Sequence, residues 1–126
     1  MKLITPLFVT FISISVLAQP ELDIKPNRIE FEDLFNRIEH AFLINKGDEI
    51  LTIDSINYND SLYILEFENN LTLPFTIIPD DSIRMTVFLT AFYQVSVNDT
   101  SDTMFVFNDG IESPEPLEVR IRFFED

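Results

Sequence analysis

The chain has 126 residues, with no cysteine, no tryptophan, one histidine and two glycines. Twenty-two acidic residues against eight basic ones give a formal net charge of −14, and a field of that sign repels nucleic-acid phosphates and anionic lipid heads. Without cysteine there are no disulfides, no thiol chemistry and no thiolate metal sites, and two glycines cannot build a glycine-rich phosphate loop.

At the N-terminus, Lys2, the apolar run Leu3 to Val16 and the small-residue ending Val16-Leu17-Ala18 have the three parts of a secretory signal peptide. A membrane anchor is the competing reading, but the run is broken by Pro6 and hydroxyl residues and is shorter than the ~20 residues a spanning helix needs. Cleavage after Ala18 makes residues 1–18 the signal peptide and leaves 19–126 as one domain starting at Gln19, with no stable membrane insertion. A domain of this size buries about 65% of its unfolded surface, and the eleven phenylalanines left after the signal are expected to supply most of that core. A small exported domain without disulfides is expected to be a bacterial secreted or periplasmic protein. Sequons at Asn59, Asn70 and Asn98 matter only in a host that N-glycosylates.

The mature chain reads as short strands separated by turn residues. Leu22 and Ile24 alternate weakly within Glu21 to Lys25, and Pro26-Asn27 ends that segment. Ile29 and Phe31 alternate with charged residues through Arg28 to Glu32, which predicts a half-buried strand. Asp33 to Arg37 is a connection, with Phe35 either tucked beneath it or exposed. Ile38 to Ile56 then reads as strand, tight Asn45–Glu49 turn and strand, a hairpin pattern. Both faces of Ala41 to Ile44 are apolar, so periodicity leaves open which is buried and which is left for a partner. In the second arm Leu51, Ile53 and Ile56 are the buried set, with Thr52 and Asp54 facing water.

Asn57 to Ser61 is a loop and Leu62 to Phe67 a strand, interrupted by Glu68-Asn69-Asn70. Leu71 to Ile78 is β-prone but holds Pro74 and ends at Pro79, which predicts an edge strand or an extended connection. Pro79-Asp80-Asp81-Ser82 is turn material. Ile83, Met85, Val87 and Leu89 share one side of a period-two strand through Ala91, which Phe92 to Val97 either extend or end. Asn98 to Asp102 reads as a polar loop, Thr103 to Phe107 as a strand, Asn108-Asp109-Gly110 as a turn and Ser113 to Pro116 as a stiff approach. Leu117, Val119, Ile121 and Phe123 form the cleanest alternation in the chain. No helical period of ten or more residues appears outside the signal, so about seven to nine short strands predict an all-β, antiparallel β-sandwich.

The order of these motifs resembles the Ig-like ASH and Hydin-type domains and the similar bacterial choice-of-anchor Ig-like repeats. The matching residues are Ile29-Glu30-Phe31, Asn45-Lys46-Gly47, Leu51-Thr52-Ile53 with Ile56, then Pro79-Asp80-Asp81-Ser82, Val87, Asn108-Asp109 and Pro116. The chain departs from the pattern at Glu32, where glycine is frequent, at Thr90, where proline often follows, and in lacking the Gly-Tyr corner before the penultimate strand. The resemblance covers nearly the whole mature chain and implies an Ig-like sandwich that binds or scaffolds, with no catalytic residues to transfer.

No chemistry stands out from the residues themselves. His40, alone, cannot form a multi-histidine site, and no Gly-x-Ser-x-Gly elbow pairs it with a nucleophile; it is expected at the surface or on an edge strand. Among 22 acids some pair always lies at a glycosidase spacing, so carboxylate abundance identifies nothing. Asp80-Asp81, Asn98 to Asp102 and Asn108-Asp109 offer oxygen ligands for calcium, but Thr103 replaces the glycine of an EF-hand loop and no glutamate closes it; turn formation explains these residues. Phe105 and Phe107 are the candidate interaction surface. In the register the resemblance implies, Met104 and Val106 face the core and both phenylalanines point outward; the opposite register buries them.

The expected protein is therefore an exported, non-catalytic binding or structural module without a cofactor or metal. It acts through a sheet face or an edge strand on another cell-envelope or extracellular protein. A secreted carbohydrate-binding module, or a small carbohydrate-active protein, is the alternative, with Tyr58, Tyr63 and Tyr93 as the available stacking platforms.

Overall fold

The computed structural model describes residues 18–32, 36–90 and 100–122. Residues 1–17 of the expected signal peptide, Phe35, Phe92 to Val97 with Tyr93, Asn98 and Phe123 lie outside the described residues. Nine strands follow in order: β1 Leu22–Lys25, β2 Arg28–Phe31, β3 Ile38–Asn45, β4 Leu51–Asn57, β5 Tyr63–Phe67, β6 Phe75–Ile77, β7 Ser82–Leu89, β8 Thr100–Asn108 and β9 Glu115–Ile121. A 3₁₀ turn, Glu68–Asn70, separates β5 from β6. Sheet one runs β1-β3-β7-β5 and sheet two β2-β9-β8-β4-β6. All pairs are antiparallel except β2 on β9, which is parallel. This is an Ig-like sandwich, with the first sheet in the A-B-E-D arrangement of that fold.

The core is the sum of the inward alternate positions. Leu22, Ile24, Ala41, Leu43, Met85, Val87 and Leu89 from sheet one meet Ile29, Phe31, Leu51, Ile53, Met104, Val106, Leu117, Val119 and Ile121 from sheet two, all buried. The long strands with strict alternation, β7 and β9, therefore fall where the period-two pattern puts them. In β4 the ladder shifts between Ile53 and Ser55, a bulge that changes the parity and brings Ile56 back against the core.

Three local expectations change. Ile38 to Ile56 is not a hairpin: β3 pairs with β1 and β7, β4 with β6 and β8, so the intervening turn is an arch from one sheet to the other. Ala41 and Leu43 face Leu51 and Ile53 across the sandwich, an arrangement two strands of one sheet cannot adopt. Thr100, Ser101 and Asp102, read as loop, begin β8 opposite Ile121, Arg120 and Val119, because the long alternation of β9 offers them a ladder. Glu115 and Pro116 belong to β9 rather than to its approach. Pairing with β2 starts only at Glu118, so at Pro116 the strand has one open side for its missing N–H.

The two Asn-x-Gly sequences end β3 and β8 in the same way. Asn45 Oδ1 accepts from Gly47 N–H at 2.9 Å, and its Nδ2 donates to Glu49 O at 2.7 Å and Ile77 O at 2.9 Å. Asn108 Oδ1 accepts from Gly110 N–H at 2.8 Å, and its Nδ2 donates to Glu112 O at 3.1 Å and Val106 O at 3.2 Å. Both asparagines are buried. Residues 19–21 run between the two turns: Gln19 O accepts from Asp48 N–H, Glu21 O from Lys46 N–H and Pro20 O from Ile111 N–H. A Cβ on Gly47 would overlap the Gln19 carbonyl, and one on Gly110 would lie 2.9 Å from Pro20 O, so glycine here admits a neighbouring chain segment.

Candidate interaction surface

On sheet two, Met104 and Val106 are buried and Phe105 and Phe107 point outward, each 38% exposed. Of the two registers open from sequence, this is the one the Ig-like resemblance implied. Phe105 sits between Asn57 of β4 and the exposed Pro116 of β9, and Phe107 lies opposite Ser55. The small neighbours Asn57, Pro116 and Ser55 thus leave both rings partly exposed in the middle of the sheet.

Sheet one answers the question left at Ala41 to Ile44: Ala41 and Leu43 are buried, while Phe42 points outward at 42% exposure. Phe42 lies across from Lys25 and Arg84. Ile38 of β3, Phe88 of β7 and Ile64 of β5 stand in one cross-strand row, with Ile38 46% and Ile64 50% exposed. Sequence reading missed this row, since Ile38 and Ile64 are indistinguishable from core residues until strand pairing fixes their face. The next row is His40, Thr86 and Glu66. His40 is exposed on an inner strand, its Nδ1 3.0 Å from Thr86 Oγ1.

A third feature lies at the side of the sandwich. After β5 the chain leaves sheet one through Asn69 and Asn70, both at positive φ (57° and 55°), and enters sheet two as β6. Phe67 at the end of β5 meets Phe75 at the start of β6 edge-to-face, with centroids 4.9 Å apart. Beside this crossing is a groove of about 490 Å³ whose apolar walls are Tyr58, Leu65, Phe67, Leu71 and Leu73.

Three of the acidic residues that invited a calcium reading accept backbone hydrogen bonds: Asp81 Oδ1 takes the Ser82 N–H at 2.8 Å, Asp102 Oδ1 the Thr103 N–H at 2.9 Å within β8 and Asp109 Oδ1 the Thr52 N–H of β4 at 2.7 Å. Among the described residues no three His, Asp or Glu side chains converge as a metal site. Lys46 bridges to Asp23 at 2.8 Å, and that hydrogen bond and charge raise the lysine above its ordinary range. Glu115 is raised by partial burial first and by Glu112, Asp23 and Glu21 next. Of the tyrosines considered as sugar platforms, Tyr63 is buried against Phe31 and Tyr58 is half-buried on the core. Burial, with Asp102 as the lesser cause, raises the Tyr63 phenol strongly.

No family model and no curated protein matches the sequence. By structure, the chain is similar to the periplasmic chaperone SfaE, with a TM-score of 0.63 at 8% identity over 84% of this chain and 61% of that one. It is similar too to a chain of the CsuC–CsuE chaperone–tip adhesion subunit pre-assembly complex of Acinetobacter baumannii, at 0.57 and 12% identity over 82% of this chain and 57% of that one. WR4, an MSP family member of C. elegans, matches at 0.50 and 7% identity over 82% of this chain and 97% of that one. The chain spans 61% and 57% of the first two of these chains. At these identities the likeness is one of fold.

Proposed function

We propose that this chain is an exported, non-catalytic Ig-like module of the ASH/Hydin type that binds another protein of a bacterial cell envelope or extracellular space. The observation that carries the reading is the outward pair Phe105 and Phe107, uncovered at the centre of a sheet whose inner side is fully packed. The resemblance to ASH and Hydin-type domains is supported by the places its motif residues take: Ile29 and Phe31 in the core, Asn45 fastening the arch, Leu51 and Ile53 buried opposite. The chaperone folds it resembles, one from a complex with a tip adhesion subunit, support protein association and a periplasmic or secreted address. For a sugar-binding module the described residues offer less support, with Tyr63 removed from the surface and Tyr58 half-buried.

The test is a comparison of envelope proteins retained by the wild type and by the Phe105→Thr, Phe107→Thr double variant at equal melting temperature. A specific partner lost with the double variant is the expected result; equal retention by both, or a strong glycan-array signal, overturns the reading. N-terminal sequencing of the exported protein should begin at Gln19.

A further inference from the structure

We infer that the outer edge of β5, with the groove beside it, accepts an extended peptide strand of a partner protein in which apolar residues alternate with Lys or Arg. This rests on the reading of the chain as a protein-binding module and names a second surface on it, distinct from Phe105 and Phe107.

Hydrogen-bond parity defines what the edge offers. In an antiparallel pair, alternate residues turn their N–H and C=O toward the partner strand. Thr90 N–H donates to Leu62 O at 2.8 Å, and Ile64 and Glu66 follow with the same parity against Phe88 and Thr86. Leu65 and Phe67 therefore direct their N–H and C=O away from β7. Tyr63 shares that parity, and its N–H is closed by Asn59 O at 3.1 Å. Among the described strands β5 pairs with β7 alone; the Phe67 C=O opens the 3₁₀ turn Glu68–Asn70, so the N–H and C=O of Leu65 and the N–H of Phe67 form the strand-pairing template.

The other edges are protected in recognisable ways. β6 has three residues between Pro74 and Pro79, β1 ends in Lys25 before Pro26, and β2 is held to β9 with Arg28 paired to Glu118 at 3.1 Å. β5 carries no lysine, proline or bulge, and exposes Ile64.

Side-chain alternation then specifies the occupant. Residues of an added strand opposite Leu65 and Phe67 point into the groove, onto Leu65, Phe67, Leu71 and Leu73, and are apolar. The residue between them stands beside Glu66 on the outer face, where an opposite charge is favoured and a like charge is not. With a net charge of −14 on the chain, long-range attraction also selects a basic partner and works against a second copy of this protein in that place.

The experiment uses the mature protein and a capped peptide of about seven alternating valine and lysine residues, roughly the length of one strand. Binding with weakening at higher salt, and with amide shifts at Leu65 and Phe67 in NMR spectra, is expected. Replacing lysine by glutamate in the peptide, or Glu66→Lys in the protein, should weaken binding about tenfold or more. N-methylation of alternate peptide amides should abolish it in the register that faces β5. The Phe105→Thr, Phe107→Thr variant should bind this peptide unchanged. No binding of the valine–lysine peptide, equal binding of both N-methylated registers, or shifts that map to Phe105 and Phe107 overturns the assignment. A partner protein that still depends on Phe105 and Phe107 would leave the module reading standing while this inference falls.

Discussion

Replacing Asn45 tests the reasoning about the arch most directly. The side chain is buried and makes three short hydrogen bonds, to Gly47 N–H, Glu49 O and Ile77 O, plus a longer one at 3.4 Å from Glu21 N–H. Asn45→Ala deletes them, taking the side-chain donor from the Ile77 carbonyl and the acceptor from the Gly47 N–H, at about 0.5–1.5 kcal/mol for each hydrogen bond lost and about 1–3 kcal/mol for a buried group left unpaired. With the partly buried Gly47 and Glu49 groups regaining water in part, the loss should be about 3–4 kcal/mol, or roughly 15 °C in melting temperature for a domain of this size. Asn45→Asp preserves the shape and the acceptor toward Gly47 but sets a carboxylate oxygen against the Glu49 and Ile77 carbonyls. At neutral pH it should be the worse variant. Its carboxyl has a folded-state pKa raised above the unfolded one, so the folded state binds the proton more tightly and stability recovers as pH falls through the folded pKa. Urea unfolding followed by far-ultraviolet circular dichroism measures both, since the chain has no tryptophan. An alanine variant within about 1 kcal/mol of the wild type, or an aspartate variant no less stable than alanine at neutral pH, would refute the argument.

Other substitutions probe separate parts of the structure. Gly47→Ala should cost about 2–3 kcal/mol by pushing residues 19–21 off the arch, read as lost amide protection at Lys46 and Asp48; unchanged protection would contradict it. Phe105→Thr with Phe107→Thr should change stability by less than about 1 kcal/mol, against about 2–5 kcal/mol for the buried Leu43→Ala, and similar losses for the two would mean that the rings are core residues. Tyr63→Phe should be neutral or stabilising, because the buried hydroxyl has no hydrogen-bond partner among the described residues and its desolvation is uncompensated; a clear drop in melting temperature would show that it has one. Glu115→Gln should raise the melting temperature at pH 7, because burial and acidic neighbours raise the folded pKa of Glu115. The destabilisation is present above that pKa and disappears as pH falls through it, so the gain should vanish in acid.

The elements readable from sequence were those whose identity depends on local alternation. β7 and β9 declare their buried faces through Met85, Val87 and Leu89 or Leu117, Val119 and Ile121, and the prolines around Phe75–Ile77 mark an edge before any pairing is known. What could not be read is decided by partners distant in sequence. Asn45-Lys46-Gly47 looks like a hairpin turn because tight turns use the same residues whether the flanking strands pair or separate. Only the reach of Asn45 Nδ2 to Ile77 of β6 shows the chain passing between sheets. Phe42 and Leu43 are equivalent as apolar residues, and the β1 and β7 ladders alone decide that Leu43 is inside. For the candidate site, Phe105 and Phe107 were visible as residues of interest but their direction was not, since the register follows from Met104 opposite Leu117.

The edge of β5 shows why binding capacity of this kind stays hidden from pattern reading. By composition Leu65 and Phe67 are ordinary core residues, and their side chains do pack against the core. Their backbone groups point outward only because the chain abandons sheet one at the Asn69–Asn70 turn and continues as β6 on the other sheet. Phe67, whose contact with Phe75 fastens this crossing, also lines the groove. Phe67 therefore contributes both to stability and to the shape of the cleft, whereas Glu66 is exposed at the groove and belongs to no core cluster. Substitution at Phe67 would change folding and binding together, and substitution at Glu66 should separate them, which is why the charge-reversal arm carries the decision.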